Sequence, residues 1–274
     1  MRVIKLLLTI SLLSYCSRFA LANDVKALCQ EGDQLCTFVL LSELNEKDGS
    51  NQSKISSVNE DRANLSISPF STFKIVNSLI GLELGVIKNK TQTLTFDKER
   101  YPVRAWWPPV WKLPHYDLST AFKYSMVAIY RQLANDIGEK NMLSYLKKIH
   151  YGNEDISSGL DSFWLNGSIK ISAMEQVLLL QKIYHNRLAL NESSIEVLKD
   201  IMLVDSQPNY RVFAKTGAGK VDDGTMLGWY IGFVENSSGV HFFAFNFNSP
   251  SYAQMKANRI KIATNHLKLA GIIE

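Results

Sequence analysis

The sequence predicts an α/β protein of the α+β type, in which an antiparallel sheet is flanked by helices and a mostly helical second lobe lies beside it. Three observations predict this arrangement. An early apolar segment has the composition of a strand, the middle of the chain has helical periodicity and helix caps, and the last third contains strand-like runs before a final helix.

The first part of the chain is predicted to contain one strand and one buried helix. Residues 37–41 (TFVLL) have the β-branched and apolar composition of a strand. Residues 45–64 are polar and predict a long solvated turn region rather than a linker between domains. Residues 71–84 predict a helix, because apolar side chains surround almost the whole helical wheel, and Gly85 is placed to end it.

The middle and the end of the chain differ in the spacing of their apolar residues, which is helical in the middle and strand-like near the end. Helical signals resume at residues 119–120 and run to Gly138, and Ser172 with Glu175 forms a capping box ahead of a helix over 176–184. The pattern then becomes that of three strands separated by turns, and a helix follows from about residue 252 to 270. The strand-like runs span residues 210–216, 226–235 and 241–248.

The amino terminus has the features of a cleaved secretory signal peptide. Arg2 and Lys5 precede the apolar run 6–15, and the small-residue triplet that ends at Ala22 follows. A membrane anchor is the alternative, but the run is much shorter than the roughly 20 residues that a spanning helix needs. We therefore predict that residues 1–22 are a signal peptide, that residues 23–274 form one domain, and that the protein is exported without a membrane anchor.

The charge of the mature chain gives no indication of a nucleic-acid surface. Removing residues 1–22 leaves 27 basic and 26 acidic side chains, a formal charge of +1, and no basic stripe or recognition motif is visible. No metal site is expected either, because the five histidines lack metal-binding spacing. These are His115, His150, His185, His241 and His266.

The cysteines leave two possibilities open. Cys29 and Cys36 are the cysteines of the mature chain, and an oxidising compartment would allow them to pair. The alternative is that both are ordinary small hydrophobic residues.

The predicted buried helix contains one lysine. Ser71 and Lys74 stand one turn apart on the same face, so the hydroxyl and the amine can meet. Burial disfavours the charged amine and lowers its pKa, which turns a lysine into a base, and a serine needs such a base to become a nucleophile. The motif S-x-x-K also recurs by chance in many chains.

A second candidate group ends the first strand of the predicted meander. Lys215, Thr216 and Gly217 offer a cation, a hydroxyl and close backbone approach, which suit an extended substrate that bears a carboxylate. Ser125 and Val127 form an S-x-V triplet that means little alone.

The order and spacing of five motifs resemble those of the class D β-lactamases, the oxacillinases. The motifs are STFK at 71–74, SMV at 125–127, YGN at 151–153, WLNG at 164–167 and KTG at 215–217. The resemblance covers almost the whole mature chain, including KISAMEQV at 170–177 and Arg259. It implies a serine β-lactamase or penicillin-binding transpeptidase-like fold for residues 23–274.

The resemblance also implies roles for individual residues. Ser71 would attack the lactam carbonyl, and Lys74, N-carboxylated by carbon dioxide, would be the general base, with no other cofactor. Trp164 would donate its indole N–H to that group, Val127 and Phe73 would keep it dry, and Ser125 would pass a proton to the lactam nitrogen. The backbone N–H groups of Ser71 and Ala218 would form the oxyanion hole, and the substrate carboxylate would be held by Lys215, Thr216 and Arg259, beside Gly217.

The function implied is hydrolysis of β-lactams, small-molecule substrates, by a monomer or homodimer. One rival is a penicillin-binding sensor or transpeptidase-like domain, which acylates but deacylates slowly. Another is a non-catalytic periplasmic binding protein, which would have no use for a nucleophile with a paired base. The resemblance also implies secretion to a bacterial periplasm. Ala218 stands where the family often has a large aromatic residue, so the substrate range stays open, and the aromatic loop 106–111 has no assigned role.

Overall fold

A computed structural model describes residues 29–274 with the exception of residues 34 and 46–50. The predicted signal peptide lies outside the described residues. The strands are β1 (Cys36–Asn45), β2 (Asn51–Val58), β3 (Leu203–Ser206), β4 (Tyr210–Lys220), β5 (Met226–Asn236) and β6 (Gly239–Ser249). The α-helices are α1 (Glu60–Ala63), α2 (Lys74–Glu83), α3 (Leu118–Lys123), α4 (Val127–Ile137), α5 (Glu139–Ile149), α6 (Ala173–Tyr184), α7 (Glu192–Met202) and α8 (Tyr252–Leu269). Short 3-10 turns span Phe70–Phe73 and Pro109–Trp111.

The strands form one six-stranded sheet with the order β2-β1-β6-β5-β4-β3. Each pair of neighbours is antiparallel. Alternate residues of β5 point to opposite faces, so Trp229 and Ile231 join the core shared with the helical lobe, whereas Tyr230 and Val234 join the core under α8. The sheet is therefore covered on both faces, and the predicted α+β fold with a helical second lobe is confirmed.

The prediction of a turn region over residues 45–64 is wrong. Residues 51–58 are strand β2, which pairs with β1 from Phe38↔Val58 to Asn45↔Asn51, and helix α1 follows. Strand β2 lies at the edge of the sheet, and residues 52–56 are exposed. An edge strand with a solvated face has no apolar alternation, so its polar sequence resembles that of a loop.

The predicted helices are confirmed with two differences. The segment before Lys74 is a 3-10 turn, and Gly85, with φ 67°, follows the helix end as expected. The helical region 119–138 is broken between α3 and α4, where Ser125 has φ 53°. No proline or glycine marks this break, so residue composition could not reveal it. Helices α5 and α7 and strand β3 are additions to the predicted elements.

Cys29 and Cys36 form a disulfide, which decides between the two possibilities left open. Asn59 holds the closed loop, because its side-chain amide donates to the carbonyls of Gln30, Asp33 and Cys36 at 2.8–2.9 Å. The backbone N–H of Cys29 donates to Nε2 of His266 at 3.0 Å, which ties the loop to helix α8.

Within the described residues, no helix is long and apolar enough to cross a membrane. The same part of the chain contains no group of three or more His, Cys, Asp or Glu side chains placed to hold a metal ion.

Candidate active site

The site is built around the junction of a 3-10 turn and helix α2. Ser71 lies in the turn and is half-buried, and Lys74 begins the helix and is fully buried. Because the two residues are one turn apart, Nζ of Lys74 comes within 2.9 Å of Oγ of Ser71. A nucleophile and a base are thus within hydrogen-bond distance.

The surroundings of Lys74 favour its neutral form. Burial lowers the pKa of the amine from 10.5 to about 7, and no carboxylate opposes this effect. The ring of Tyr130 lies 5.0 Å from Nζ, measured to the ring centroid. At neutral pH a large fraction of Lys74 is therefore an uncharged amine, which can accept a proton.

Trp164 packs on Phe73, the residue before Lys74, and has a donor to spare. Its ring stacks on Phe73 with a centroid distance of 5.4 Å, and Phe73 also meets Phe163 edge-on at 4.9 Å. The indole Nε1 atom of Trp164 is buried and has no hydrogen-bond partner among the described residues. A buried donor without a partner is costly, so this N–H is suited to an acceptor that enters the pocket.

Ser125 and Lys215 meet across the interface between the helical lobe and the sheet. The ammonium of Lys215, on strand β4, donates to Oγ of Ser125 and also to the carbonyl of Thr216, the latter at 3.1 Å. Burial, followed by repulsion from Lys74 and Arg259, holds the pKa of Lys215 well below its usual value. The left-handed turn at Ser125 directs its hydroxyl toward the strand.

The carboxylate-binding candidates line one cavity of about 470 Å³. Lys215, Thr216 and Arg259 contribute to its wall. Nη1 of Arg259 donates to the carbonyl of Gly217 at 3.2 Å, while its Nε atom is buried without a partner in the part of the chain that the structure describes. The cavity therefore offers cationic and hydroxyl donors, although Ser71 and Lys74 are not part of its wall.

Val127 is the first residue of helix α4 and is half-buried. It lines a small cavity of about 120 Å³ together with Trp106 and Trp107 of the aromatic loop. The loop packs mainly on itself, with Trp106 and Trp111 edge-on at 5.8 Å, and Nε1 of Trp111 donates to the carbonyl of Tyr124 at 2.7 Å. The loop therefore supports the turn that contains Ser125.

Two of the sequence motifs, YGN at 151–153 and KISAMEQV at 170–177, contact each other in a structural role. A Cβ on Gly152 would lie 1.9 Å from the carbonyl oxygen of Lys170, and Oδ1 of Asn153 accepts from the Lys170 backbone N–H at 2.9 Å. This turn binds the segment of Lys170 closely and contributes no side chain to the Ser71 and Lys74 pair.

Sequence reasoning missed two residues beneath Lys74. Oγ of Ser78 lies 2.8 Å from the hydroxyl of Tyr130, and both residues are buried. The spacing of four residues between Lys74 and Ser78 places both on one helix face, a signal that could have been used. Nothing local to Tyr130 indicates that it faces Lys74.

The chain matches known proteins over most of its length. Residues 39–268 match the penicillin binding protein transpeptidase domain family. β-Lactamase OXA-48 of Klebsiella pneumoniae is 42% identical over 194 residues, 70% of each chain, and β-lactamase OXA-10 of Pseudomonas aeruginosa is 36% identical over 77% of this chain and 78% of its own. The chain belongs to the class D β-lactamases.

Structural comparison agrees with this membership. The class D β-lactamase FUS-1 (OXA-85) of Fusobacterium nucleatum subsp. polymorphum has a TM-score of 0.78 and 31% sequence identity, with 94% of this chain and 99% of that chain covered. The regulatory protein BlaR1 of Bacillus licheniformis is also similar, at 35% identity over 71% of this class D chain but only 31% of its own length.

Proposed function

We propose that this class D β-lactamase hydrolyses β-lactam antibiotics through an acyl-enzyme on Ser71. The observation that supports the proposal most strongly is the 2.9 Å contact between Oγ of Ser71 and the buried amine of Lys74, whose pKa is lowered to about 7. A serine hydroxyl is a weak nucleophile alone, and a neutral amine in contact with it can take its proton.

Acylation uses residues from both lobes. Oγ of Ser71 attacks the lactam carbonyl as its proton passes to Lys74, and the carbonyl oxygen becomes an oxyanion held by the backbone N–H groups of Ser71 and Ala218. The lactam C–N bond then breaks. Ser125 donates its proton to the departing nitrogen and is reprotonated from Lys215, which contacts it.

Side chains on the sheet side of the site orient the substrate. Lys215, Thr216 and Arg259 line the cavity of about 470 Å³ and present donors to the substrate carboxylate. A charged donor to a carboxylate forms a stronger hydrogen bond than a neutral pair does, so these contacts fix the lactam relative to Ser71. Gly217 permits the segment before Ser71 to approach strand β4 closely, because a Cβ there would lie 2.8 Å from the carbonyl oxygen of Pro69.

Deacylation needs a base that activates water, and the pocket of Lys74 fits an N-carboxylated lysine. The neutral amine can react with carbon dioxide, and the unpartnered Nε1 of Trp164 can donate to the resulting group. When present, that group supplies a carboxylate that can take a proton from water. Phe73, which packs on Trp164, limits the access of bulk water to Lys74, and Trp164 orients the modified side chain. Val127 lines the cavity beside the aromatic loop, so the structure gives no support to a drying role for it.

The alternative function is that of a penicillin-binding sensor or a transpeptidase-like domain. The similarity to the regulatory protein BlaR1 favours keeping this alternative. Both functions share acylation of Ser71, and they differ in the lifetime of the acyl-enzyme. A non-catalytic periplasmic binder is opposed by the paired nucleophile and base.

The deciding experiment is steady-state turnover of a chromogenic lactam by the purified chain beginning at residue 23. We expect many substrate molecules to be hydrolysed per protein molecule. One equivalent of acyl-enzyme that persists for hours would instead support the sensor, and the absence of any covalent adduct would exclude both functions.

We also propose export to the periplasm, with cleavage after Ala22. The support is the short apolar run 6–15 followed by a small-residue triplet. Amino-terminal sequencing of protein recovered from the periplasm should begin at Asn23, and recovery of a chain that retains residues 1–22 would contradict this proposal.

A further inference from the structure

The residue before the nucleophile has a backbone conformation that phenylalanine rarely adopts. Phe70 has φ 49° and is only 4% exposed. In this left-handed region a bulky side chain clashes with its own backbone, so the conformation persists only where neighbouring contacts impose it. Ser71 follows directly, and the directions of its N–H and hydroxyl depend on this turn.

The ring of Phe70 packs directly against Gly219 on strand β4. A Cβ built on Gly219 would lie 1.8 Å from Cε1 and 2.3 Å from Cδ1 of the Phe70 ring. The ring thus occupies the space that any other residue at position 219 would need. Phe70 and Gly219 are complementary in size.

Other contacts join the same two segments. A Cβ on Gly217 would lie 2.8 Å from the carbonyl oxygen of Pro69 and 3.1 Å from Cγ2 of Thr72. Gly217 and Gly219 point to the same face of β4, because side chains alternate along a strand. On the neighbouring strand, Nε1 of Trp229 donates to the carbonyl of Ser68 at 3.0 Å. The chain around the 3-10 turn Phe70–Phe73 therefore contacts the sheet on both sides of Ser71.

We propose that Phe70 and Gly219 form an interlock that positions Ser71 against strand β4 for acylation. The inference rests on the proposed function, in which the N–H groups of Ser71 and Ala218 hold the oxyanion. One donor follows Phe70 in the chain, and the other precedes Gly219. The interlock consequently sets the distance between the two oxyanion donors, which come from segments almost 150 residues apart.

Both interlock residues are positioning residues, since neither touches the reacting atoms in this mechanism. A displacement of about 1 Å in a catalytic group can cost about 100-fold in rate. The carboxylate donors lie on other residues, so loosening the interlock should lower the acylation rate constant and leave the affinity for the intact lactam nearly unchanged.

The test is a mutant cycle in which the acylation rate constant and the lactam dissociation constant are measured separately by stopped-flow with benzylpenicillin. Gly219→Ala places a methyl group inside the Phe70 ring and should slow acylation by about 10- to 100-fold. Phe70→Ala should slow it by about tenfold, because the turn loses the contact of the ring with Gly219. The double variant Phe70→Ala/Gly219→Ala has room for the new methyl group, so it should acylate faster than Gly219→Ala alone.

Gly85→Ala is the matched control. Gly85 also has a positive φ, 67°, but a Cβ there would meet no atom within 4 Å. This variant should lose thermal stability through backbone strain and keep the wild-type acylation rate constant. A merely structural role for the interlock would make Gly219→Ala behave in the same way.

The inference is overturned if both single variants acylate at the wild-type rate, or if the double variant loses the sum of the two single losses. If Gly219→Ala does not fold, recovery of folding and acylation in the double variant supports the interlock, and failure of the double variant to recover either one opposes it. A wild-type protein that forms no acyl adduct would refute the proposed function instead. The stability coupling between positions 70 and 219, measured by urea unfolding of the same variants, would then decide whether the interlock exists.

Discussion

The Nζ atom of Lys74 lies 2.9 Å from the Oγ atom of Ser71, and the lysine is fully buried while the serine is half-buried. This arrangement joins a partly exposed nucleophile to a base that water hardly reaches. Because burial lowers the pKa of Lys74 to about 7, the pair can work near neutral pH without a histidine.

Ser71→Ala should abolish covalent labelling by penicillin. The change removes the attacking hydroxyl from a half-buried position, and the free energy of unfolding should change by about 1 kcal/mol or less. Intact-mass spectrometry after incubation with benzylpenicillin measures the adduct, and thermal unfolding checks the fold. An acyl adduct on the alanine variant would mean that another residue attacks.

Turnover should depend on carbon dioxide and on pH through Lys74. Its pKa of about 7 means that the neutral amine predominates above pH 7 and the ammonium predominates below it. As the pH falls through 7, the amine that can be carboxylated is lost, so turnover at a fixed carbon dioxide concentration should fall by about tenfold per pH unit at the acidic end. In degassed buffer turnover should be low at every pH. Added bicarbonate should restore it.

The control for the bicarbonate experiment is Lys74→Ala, whose residual turnover should not respond to bicarbonate at any pH. A ¹³C-labelled bicarbonate NMR spectrum should show one carbamate signal in the wild type and none in this variant. Wild-type turnover that is indifferent to removal and return of bicarbonate would contradict the proposed base.

Trp164→Phe should slow deacylation more than acylation. The substitution keeps an aromatic ring beside Phe73 but removes the Nε1 donor, which is buried and otherwise unpartnered in the described part of the chain. Loss of a donor to a buried anion costs about 1–3 kcal/mol, which corresponds to about 5- to 150-fold in the carboxylation equilibrium. Time-resolved mass spectrometry should therefore show an acyl-enzyme that persists.

Trp107→Phe is the matched control for that variant, because Trp107 is also buried but belongs to the aromatic loop. It should deacylate at the wild-type rate. Equal deacylation by both variants would remove the role proposed for the Trp164 indole.

Acid should destabilise the protein through His266. Burial lowers the pKa of this imidazole from 6.5 to about 4, and its Nε2 atom accepts the N–H of Cys29 only when neutral. The unfolded chain binds a proton at His266 near pH 6.5 and the folded chain does not, so the stabilising contribution is complete above pH 6.5 and is lost as the pH falls toward 4. The loss should be about 1–2 kcal/mol after allowance for solvent screening.

Thermal unfolding between pH 4 and 7 measures this loss, with His266→Gln as the comparison. Glutamine can accept the same N–H without titrating, so the melting temperature of the variant should depend less steeply on pH. Curves of equal slope for both proteins would show that acid acts through other groups.

The sequence alone was sufficient to predict the sheet, its helical lobe and the family. The reason is that each of the signals involved is local: the strand and helix periods, the capping box at Ser172, and the one-turn spacing of Ser71 and Lys74 are all read within a few residues. The apolar wheel around Lys74 also predicted its burial, which the structure confirms.

The tertiary structure alone decided what depends on contacts between distant segments. Strand β2 exists because β1 pairs with it, although its own residues are polar. The helix break at Ser125 and the left-handed turn at Phe70 have no mark in the local sequence. Each residue contacts a partner far along the chain, Lys215 for the first and Gly219 for the second. The local sequence determines which backbone conformations have a low free energy. Only packing against other segments can hold a residue in a conformation of high free energy.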